Sequence, residues 1–504
     1  MKRIVLIGLC FFIQKGIAQQ LVLRGTAKPG TSIEVIETYD GNYWKKNAVL
    51  IRPDASGHFK KSFSSSSPKW LWIGDEENGK WVLLSADRPL NVAVSGKILT
   101  FTGLGAKENK LIARLGLESV QNLAFVKELS NKPSYANASV DSVIRFKLPM
   151  IMRSLDSSRR IVQRSGLPVE VEKLVLSELN YHYACGMTGD LIYWLNQGKN
   201  RKDFHLRFID TLQAHFPVPY AAQLAVGPAA NLYLERLFKL RMWKLLYVYQ
   251  NDMNKQHADS VFLKTTGLRF DALKQEVMEK RNEMLVFSTR LKALLPAYAW
   301  EKLLNNALYN SAMSGRLQDS GWLLQFIQRN TGDRLLVRQA AAMYAPLKKA
   351  RDQYAANLNI RIRPDYAQVN TVEGLLAPYK GKVVFIDMWG TWCPHCIEDM
   401  AYEPALKKRL DGMDVVFLYV AQDEDRDDEK WRDFIFVNNL VGEHVRKSAA
   451  EIGMLWNALG IAERDWAYPH YLIADRSGKI AVKAAERPGD NNDLYQQLLA
   501  ALAR

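Results

Sequence analysis

At 504 residues the chain is too long for one ordinary domain, and two to four are expected. Its 48% apolar and 24% charged residues are the balance of a soluble globular protein. The net charge of +15 comes from basic residues that are scattered rather than blocked, which is the pattern of a solvated surface, with an acidic partner or an anionic membrane surface as the alternative; nucleic acid is not an expected partner in the compartment that the start of the chain implies.

The start of the chain is basic, then apolar, then small. Met1-Lys2-Arg3 leads into Ile4 to Ile13, and Gly16-Ile17-Ala18-Gln19 follows, so residues 1–18 read as a signal peptide. Its apolar core is too short for a stable bilayer anchor. Leu9 and Phe11-Phe12 around Cys10 argue against a lipoprotein site. Loss of Lys2, Arg3 and Lys15 with this leader brings the charge to about +12. No later stretch has the length and apolarity of a membrane helix, so stable membrane insertion is not expected. The mature protein is expected outside the cytoplasm, in a bacterial periplasm or cell envelope.

Residues 19–105 read as short strands: Leu21–Gly25, Ser32–Thr38, Val49–Arg52, His58–Phe63, Lys69–Ile73, Trp81–Leu84, Leu90–Val94 and Leu99–Thr102. Turn signals such as Pro29-Gly30, Asp40-Gly41 and Asp54-Ala55-Ser56-Gly57 separate them, a spacing expected of a β-sandwich. Nothing in this stretch pairs a nucleophile with a base. Residues 106–354 switch to helical periodicity. Leu234, Leu237, Phe238, Met242, Leu245, Leu246 and Tyr249 share one helix side, and the charge-rich runs Asp271 to Arg290 and Arg334 to Lys349 are expected helices. The aromatics of this region read as core, although a helical module of this size is also a natural docking surface. Cys185, in Tyr181-His182-Tyr183-Ala184-Cys185-Gly186, stands alone and reads as a small buried apolar residue, with intermolecular pairing or a regulatory thiol as the sharper alternative.

Residues 355–504 alternate strands and helices, the pattern of an α/β sandwich. Lys382 to Met388 is an apolar, mostly β-favouring run that reads as a buried strand, and Ile397 to Leu410 reads as a helix. Between them, Trp389-Gly390-Thr391-Trp392-Cys393-Pro394-His395-Cys396 places two cysteines at the hand-over. Cys393 falls at a helix N-terminus, where unpaired amide N–H groups and the dipole favour an anion. There its thiol pKa drops from ~8.5 towards the ~3.5–7.5 of activated cysteines. Cys396, one turn on, is within disulfide reach, and a nucleophilic thiol backed by a resolving thiol performs thiol–disulfide exchange. As a purely structural cross-link the pair is poor, because it closes almost no loop. A zinc site would need two further ligands, and no second Cys or His pair has the spacing. No metal and no cofactor are expected. Met413–Gln422 follows as a strand ending at Asp423-Glu424-Asp425, then helices Lys430–Asn438 and Glu451–Leu459, a hairpin of Tyr471–Ala474 and Ile480–Ala484, and a closing helix Asn492–Ala503.

The Trp389 to Cys396 stretch resembles the active site of thioredoxin-fold proteins, and Gly381-Lys382 to Cys396 is similar to TlpA-like membrane-associated or secreted thiol–disulfide oxidoreductases. Tyr468-Pro469-His470-Tyr471-Leu472-Ile473-Ala474-Asp475-Arg476-Ser477-Gly478-Lys479-Ile480 resembles the family's cis-proline followed by strand, turn and strand. The resemblance covers residues 359 to 504 at most. It implies that Pro469 is cis and that the residue before it offers backbone hydrogen bonds to a bound chain. It implies that Asp387, six residues before Cys393, is a buried proton acceptor for the resolving thiol; a strand-end aspartate paired with a lysine is the alternative. Asp399, three after Cys396, matches a common acidic position of TlpA-like proteins, with an exposed first-turn acid as the alternative. Trp392 and Pro394 complete the motif. His395 either stabilises the Cys393 thiolate, which makes the disulfide a better oxidant, or only fills the turn. Pro394-His395 resembles DsbA-type oxidants, whereas many TlpA-type proteins reduce, so the direction of electron flow stays open. The family's helix-kinking proline is absent at Ala401, and Pro404 moves the expected bend about one turn later. The strand-rich N-terminal part resembles the small β-domain that precedes thioredoxin-like domains in some secreted bacterial proteins, which implies an interaction or spacing role.

The expected architecture is therefore multidomain: an N-terminal β-sandwich, an all-α middle region and a C-terminal α/β thioredoxin fold. The expected function is thiol–disulfide exchange by Cys393 and Cys396 on protein substrates with thiols or disulfides, recycled by a membrane redox partner. A peroxiredoxin-type peroxidase would need a Pro-x-x-x-Thr-x-x-Cys setting that Thr391-Trp392-Cys393 does not supply. A binding or scaffold protein with a secondary redox domain is the alternative of a different class.

Overall fold

The computed structural model describes residues 19–43, 48–65, 67–74, 79–96, 98–119, 141, 143–196, 202–280, 282–489 and 491–503; the expected leader, with Cys10, lies outside them. The described residues form two compact units, one reaching Leu240 and the other starting at Arg241. No helix among them is long and apolar enough to cross a membrane.

In the first unit the eight expected strands are all present: β1 (Gln19–Thr26), β2 (Ile33–Glu37), β3 (Val49–Ile51), β4 (His58–Ser65), β5 (Lys69–Gly74), β6 (Gly79–Leu84), β7 (Leu90–Ser95) and β8 (Ile98–Thr102). They pair as two four-stranded sheets, β4-β1-β7-β8 and β3-β2-β5-β6. Alternate side chains point inward, as the two-residue repeat of a strand requires. Leu21, Leu23, Phe63 and Val92 of the first sheet meet Val35, Ile73 and Val82 of the second in one core, so the region is a sandwich. The turn between β3 and β4 is tied by Asp54, whose Oδ1 accepts from Ser56 N and His58 N, each at 2.9 Å. Helices follow from Ala106–Arg114 to Pro228–Asn251. The apolar stripe of the last is fully buried only as far as Leu240. Cys185 is buried, with Sγ donating to Ala229 O at 3.2 Å, and burial pushes its thiol pKa up. A thiol kept protonated and covered is inert.

The second unit opens with six further helices, Lys255–Thr266 to Arg334–Tyr354. The expected single helix from Asp271 to Arg290 is two, Phe270–Lys280 and Glu283–Arg290, because Asn282 caps the second through Leu285 N at 3.1 Å. A six-stranded sheet follows: β9 (Ile360–Ile362), β10 (Val383–Trp389), β11 (Val415–Gln422), β12 (Gly442–Lys447), β13 (His470–Ala474) and β14 (Ile480–Val482), in the order β14-β13-β10-β11-β12-β9. β10, β11, β12 and β9 are parallel, β13 runs antiparallel to β10, and β14 antiparallel to β13. Every residue of β10 is buried, which is why its run reads as continuously apolar. Val383, Phe385 and Trp389 face one core, closed by Leu406, Phe434 and Leu498. Val384, Ile386 and Met388 face the other, closed by Leu375, Ile452 and Trp456. Ahead of this sheet, Ala312, Leu317 and Leu347 cluster with Val437, and Arg351 pairs with Asp433 at 3.0 Å. The helices before the sheet thus pack on the helix Asp428–Val437.

Gly25 tests the sandwich register. It lies opposite Val92 in the parallel β1–β7 pair, and a Cβ there would sit 2.0 Å from Val92 O. Gly25→Ala must therefore spread two backbones, and a loss of about 1–3 kcal/mol is expected in urea-induced unfolding of the sandwich.

Candidate redox active site

β10 ends at Trp389 and the chain turns at Gly390, where a Cβ would lie 2.5 Å from Trp392 Nε1. Only glycine leaves room for that indole, which folds back to donate to Gln422 O at 2.8 Å. Thr391 ties the same loop to the end of β11: its backbone N and Oγ1 donate to Asp423 at 3.1 and 2.7 Å. Burial raises the Asp423 pKa to about 6, with the two Thr391 bonds opposing the rise.

Cys393 caps the helix Pro394–Asp399 and its Sγ accepts from Cys396 N at 3.1 Å. The two sulfurs are bonded at 2.05 Å. Cys393 is 3% exposed and Cys396 0%, so the resolving position is the deeper of the two. The Tyr468–Pro469 bond is cis. The Tyr468 ring stands edge-on to Trp392 at 5.2 Å, and its hydroxyl accepts from Trp456 Nε1 at 3.2 Å. The loop before the cysteines and the segment ending in Pro469 are thereby joined through two aromatic rings. His395 is exposed, with Nδ1 3.1 Å from Glu398 Oε2; its contact is with that carboxylate.

The helix expected from Ile397 to Leu410 is two pieces, Pro394–Asp399 and Glu403–Arg409. Pro404 has no N–H to give to the carbonyl of Met400, so the helix cannot run through. Residues 400–402 turn instead, with Tyr402 N donating to Asp399 O at 3.0 Å. The break brings Asp399 and Glu403 down onto the sheet. Asp399 is 5% exposed, accepting from Tyr471 OH at 2.8 Å and from Arg487 at 2.7 and 2.9 Å. The exposed first-turn alternative does not describe it. Asp387 is 1% exposed, and neither carboxylate oxygen has a hydrogen-bond partner among the described residues. Lys407, the nearby lysine, bonds Glu403 at 3.0 Å. Burial, then Glu403 and Asp399, pushes the Asp387 pKa well above the carboxylate range, with Lys407 opposing.

Sequence reasoning passed over Glu403, Lys407, Tyr419, Tyr471, Arg487 and Asp423. The spacing of Asp399, Glu403 and Lys407 at successive fourth positions was a visible signal, but the break at Pro404 hid that they share a face. Also unforeseen is a pocket beside the loop, lined by Asn282, Arg316 and Asp319 of the helical stretch together with Thr391, Trp392 and Asp423. Among the described residues no group of three or more His, Cys, Asp or Glu is placed to hold a metal.

The raised Asp423 pKa has a thermodynamic consequence. The folded state binds this proton more tightly than the unfolded chain, so the group's contribution is most favourable below pH ~4 and is lost as pH rises to about 6. Relative to Asp423→Asn, the wild type is expected to lose on the order of 2–3 kcal/mol of unfolding free energy between pH 4 and pH 7. Urea unfolding of both proteins at the two pH values measures it, and a constant difference would show that Asp423 titrates alike folded and unfolded.

Residues 364–498 match the Redoxin family model. The chain is also similar to solved structures, these three among them. One, from Bacteroides vulgatus and proposed to be a thiol-disulfide oxidoreductase, is 26% identical, covering 25% of this chain and 78% of its own, with a TM-score of 0.21. A thiol:disulfide interchange protein from a Bacteroides species is 22% identical, covering 26% and 78%, with a TM-score of 0.22. A thioredoxin-family thiol:disulfide interchange protein from Chlorobium tepidum is 19% identical, covering 27% and 91%, with a TM-score of 0.21. No curated protein matches the chain. Residues 364–498 thus lie in a thioredoxin-fold domain similar to the Redoxin family, a thioredoxin-like oxidoreductase domain.

Proposed function

We propose that the chain is an extracytoplasmic thiol–disulfide oxidoreductase that acts on protein disulfides through its Cys-Pro-His-Cys pair. Residues 355–504 serve as the redox domain, and residues 19–105 and 106–354 serve as β and helical modules that help to hold its partners. The observation that carries this reading is the Cys393–Cys396 bridge at a helix start, with a buried, unpaired Asp387 carboxyl on the strand that leads to it. The basic-then-apolar start of the chain supports the extracytoplasmic setting.

In the reduced enzyme the Cys393 thiolate attacks one sulfur of a substrate disulfide. The substrate S–S bond breaks, its other sulfur leaves as a thiolate, and a Cys393–substrate mixed disulfide forms. Asp387 takes the proton of Cys396, whose thiolate then attacks Cys393. That step closes the enzyme disulfide and releases the second substrate sulfur, so the substrate gains the two electrons that the cysteine pair loses. A membrane redox partner returns two electrons to the pair. Trp392, Tyr468 and Pro469 form the rim against which the substrate chain lies, and Asp399, held by Tyr471 and Arg487, supports the acid cluster.

Electron flow runs towards the substrate in this reading. His395 engages Glu398 and is spent on that pairing, which weakens the thiolate stabilisation that would make the disulfide a strong oxidant. The reduction potential of the pair, measured against glutathione or dithiothreitol, is expected nearer the ~−270 mV of thioredoxin than the ~−120 mV of a strong oxidant; a value at the oxidising end reverses the direction. Cys393→Ser is expected to lower insulin-disulfide reduction by ~10³-fold or more. Cys396→Ser is expected to accumulate the mixed disulfide on a non-reducing gel. Undiminished turnover by Cys393→Ser overturns the mechanism.

A further inference from the structure

Four side chains lie in a row across the sheet. In β10, Asp387 stands opposite Tyr419 of β11 and Tyr471 of β13; beyond Tyr419, His444 of β12 stacks on its ring at 4.8 Å. Over this row run the two helix pieces after the cysteines, which lower Asp399, Glu403 and Lys407 onto it. The contacts repeat. Asp399 takes one tyrosine hydroxyl, from Tyr471, and one cation, Arg487. Glu403, 1% exposed, takes the other tyrosine hydroxyl, from Tyr419, and a second cation, Lys407 at 3.0 Å. Lys407 is held in turn by Val441 O at 2.8 Å.

Asp387 is the third acid of the group and lies between the other two with neither a hydroxyl nor a cation bonded to it. The remaining oxygen of Glu403, Oε1, is also buried without a hydrogen-bond partner among the described residues. A carboxyl in that position is far more stable with its proton than without, since an uncompensated buried charge is costly and two neighbouring acids repel it.

We propose that Glu403 is a positioning residue for the redox reaction: pinned by Lys407 and Tyr419, it holds a second carboxyl against Asp387 and keeps the working proton there until Cys396 leaves as a thiolate. The inference rests on the oxidoreductase reading and assigns its proton step. When an external thiolate attacks Cys393, the Cys393–Cys396 bond breaks, a mixed disulfide forms, and the electron pair goes to Cys396 Sγ. The proton passes from the Asp387 carboxyl to Cys396, directly or through one water. A second external thiolate then releases Cys393 and closes the external disulfide, so the external dithiol is oxidised and the cysteine pair reduced. The groups that face Asp387 and set its proton affinity are Glu403, Asp399 and Lys407 from the helix pieces, Tyr419 from β11 and Tyr471 from β13.

The test is the pH dependence of reduction of the full-length disulfide form by dithiothreitol, expressed per dithiothreitol thiolate. In the wild type this rate is expected to fall as pH rises through the titration of Asp387, because the proton for Cys396 is lost. Glu403→Gln removes the neighbouring negative charge while keeping a side chain of the same shape, and the fall is expected at a pH lower by about one unit or more. Lys407→Met removes the opposing cation, and the fall is expected at higher pH. Loss of packing alone would slow both variants without moving the two midpoints in opposite directions, and Lys407→Met keeps the test open should Glu403→Gln not fold. In Asp387→Asn the fall is expected to vanish. Wild-type midpoints in both charge variants, with the fall abolished in Asp387→Asn, would overturn the role of Glu403 alone. A fall that persists in Asp387→Asn would overturn the proton assignment as a whole, and a disulfide that dithiothreitol does not reduce at any pH would overturn the oxidoreductase reading beneath it.

Discussion

A carboxyl group with no cation of its own is buried in the central strand of the redox domain, and much of the surrounding structure is arranged to tolerate it. Asp387 is 1% exposed in a strand whose other residues are all apolar. An unpaired ionised carboxylate in that setting would be strongly destabilising, so the site accommodates a neutral acid. The two acids beside it are provided for separately, each with a tyrosine hydroxyl and a basic side chain. The result is one acid with no hydrogen-bond partner among the described residues, on the strand that leads to the bonded pair of sulfurs.

The broken helix makes this possible. A continuous helix after Cys396 would keep Asp399 and Glu403 one turn apart on a single straight face. The missing N–H of Pro404 interrupts it at residues 400–402, and Glu403 of the second piece meets Tyr419 while Asp399 of the first meets Tyr471. On the opposite side of the loop, Thr391 and Trp392 are fastened to the end of β11 by Asp423 and Gln422 O. The cysteine pair is therefore held from both sides by groups on different strands, which limits how far the loop can shift when the bond between the sulfurs opens.

Much of the fold was legible in the sequence because its strands alternate cleanly. In the sandwich, Phe59 between His58 and Lys60 and Phe63 between Ser62 and Ser64 announce an inward face, and all eight expected strands are present. β10 was legible for the opposite reason, as an apolar run buried on both faces. The breaks inside helical stretches were less legible. Asp271 to Arg290 reads as one amphipathic run, and the cap at Asn282 that divides it is a local bond in competition with helix continuation. The cysteine pair and the cis Tyr468–Pro469 segment were visible as motifs. The environment of Asp399 was not, because a first-turn acid is equally consistent with an exposed position until Arg487, 88 residues later, is seen to reach it.

Local chemistry was readable from the order of residues: two thiols at a strand-to-helix junction, an acid in a buried strand, a proline that stops a helix, and a β, then α, then α/β order of regions. These follow from side-chain periodicity and backbone restrictions that act over a few residues. Which acids meet, which of them receives a cation, and that Arg316 and Asp319 of the helical stretch border the loop of the cysteines emerge only from the folded chain. Those outcomes depend on strand order and on contacts between residues far apart in the chain, and a carboxyl's proton affinity is set by what surrounds it in space rather than by what precedes it in sequence.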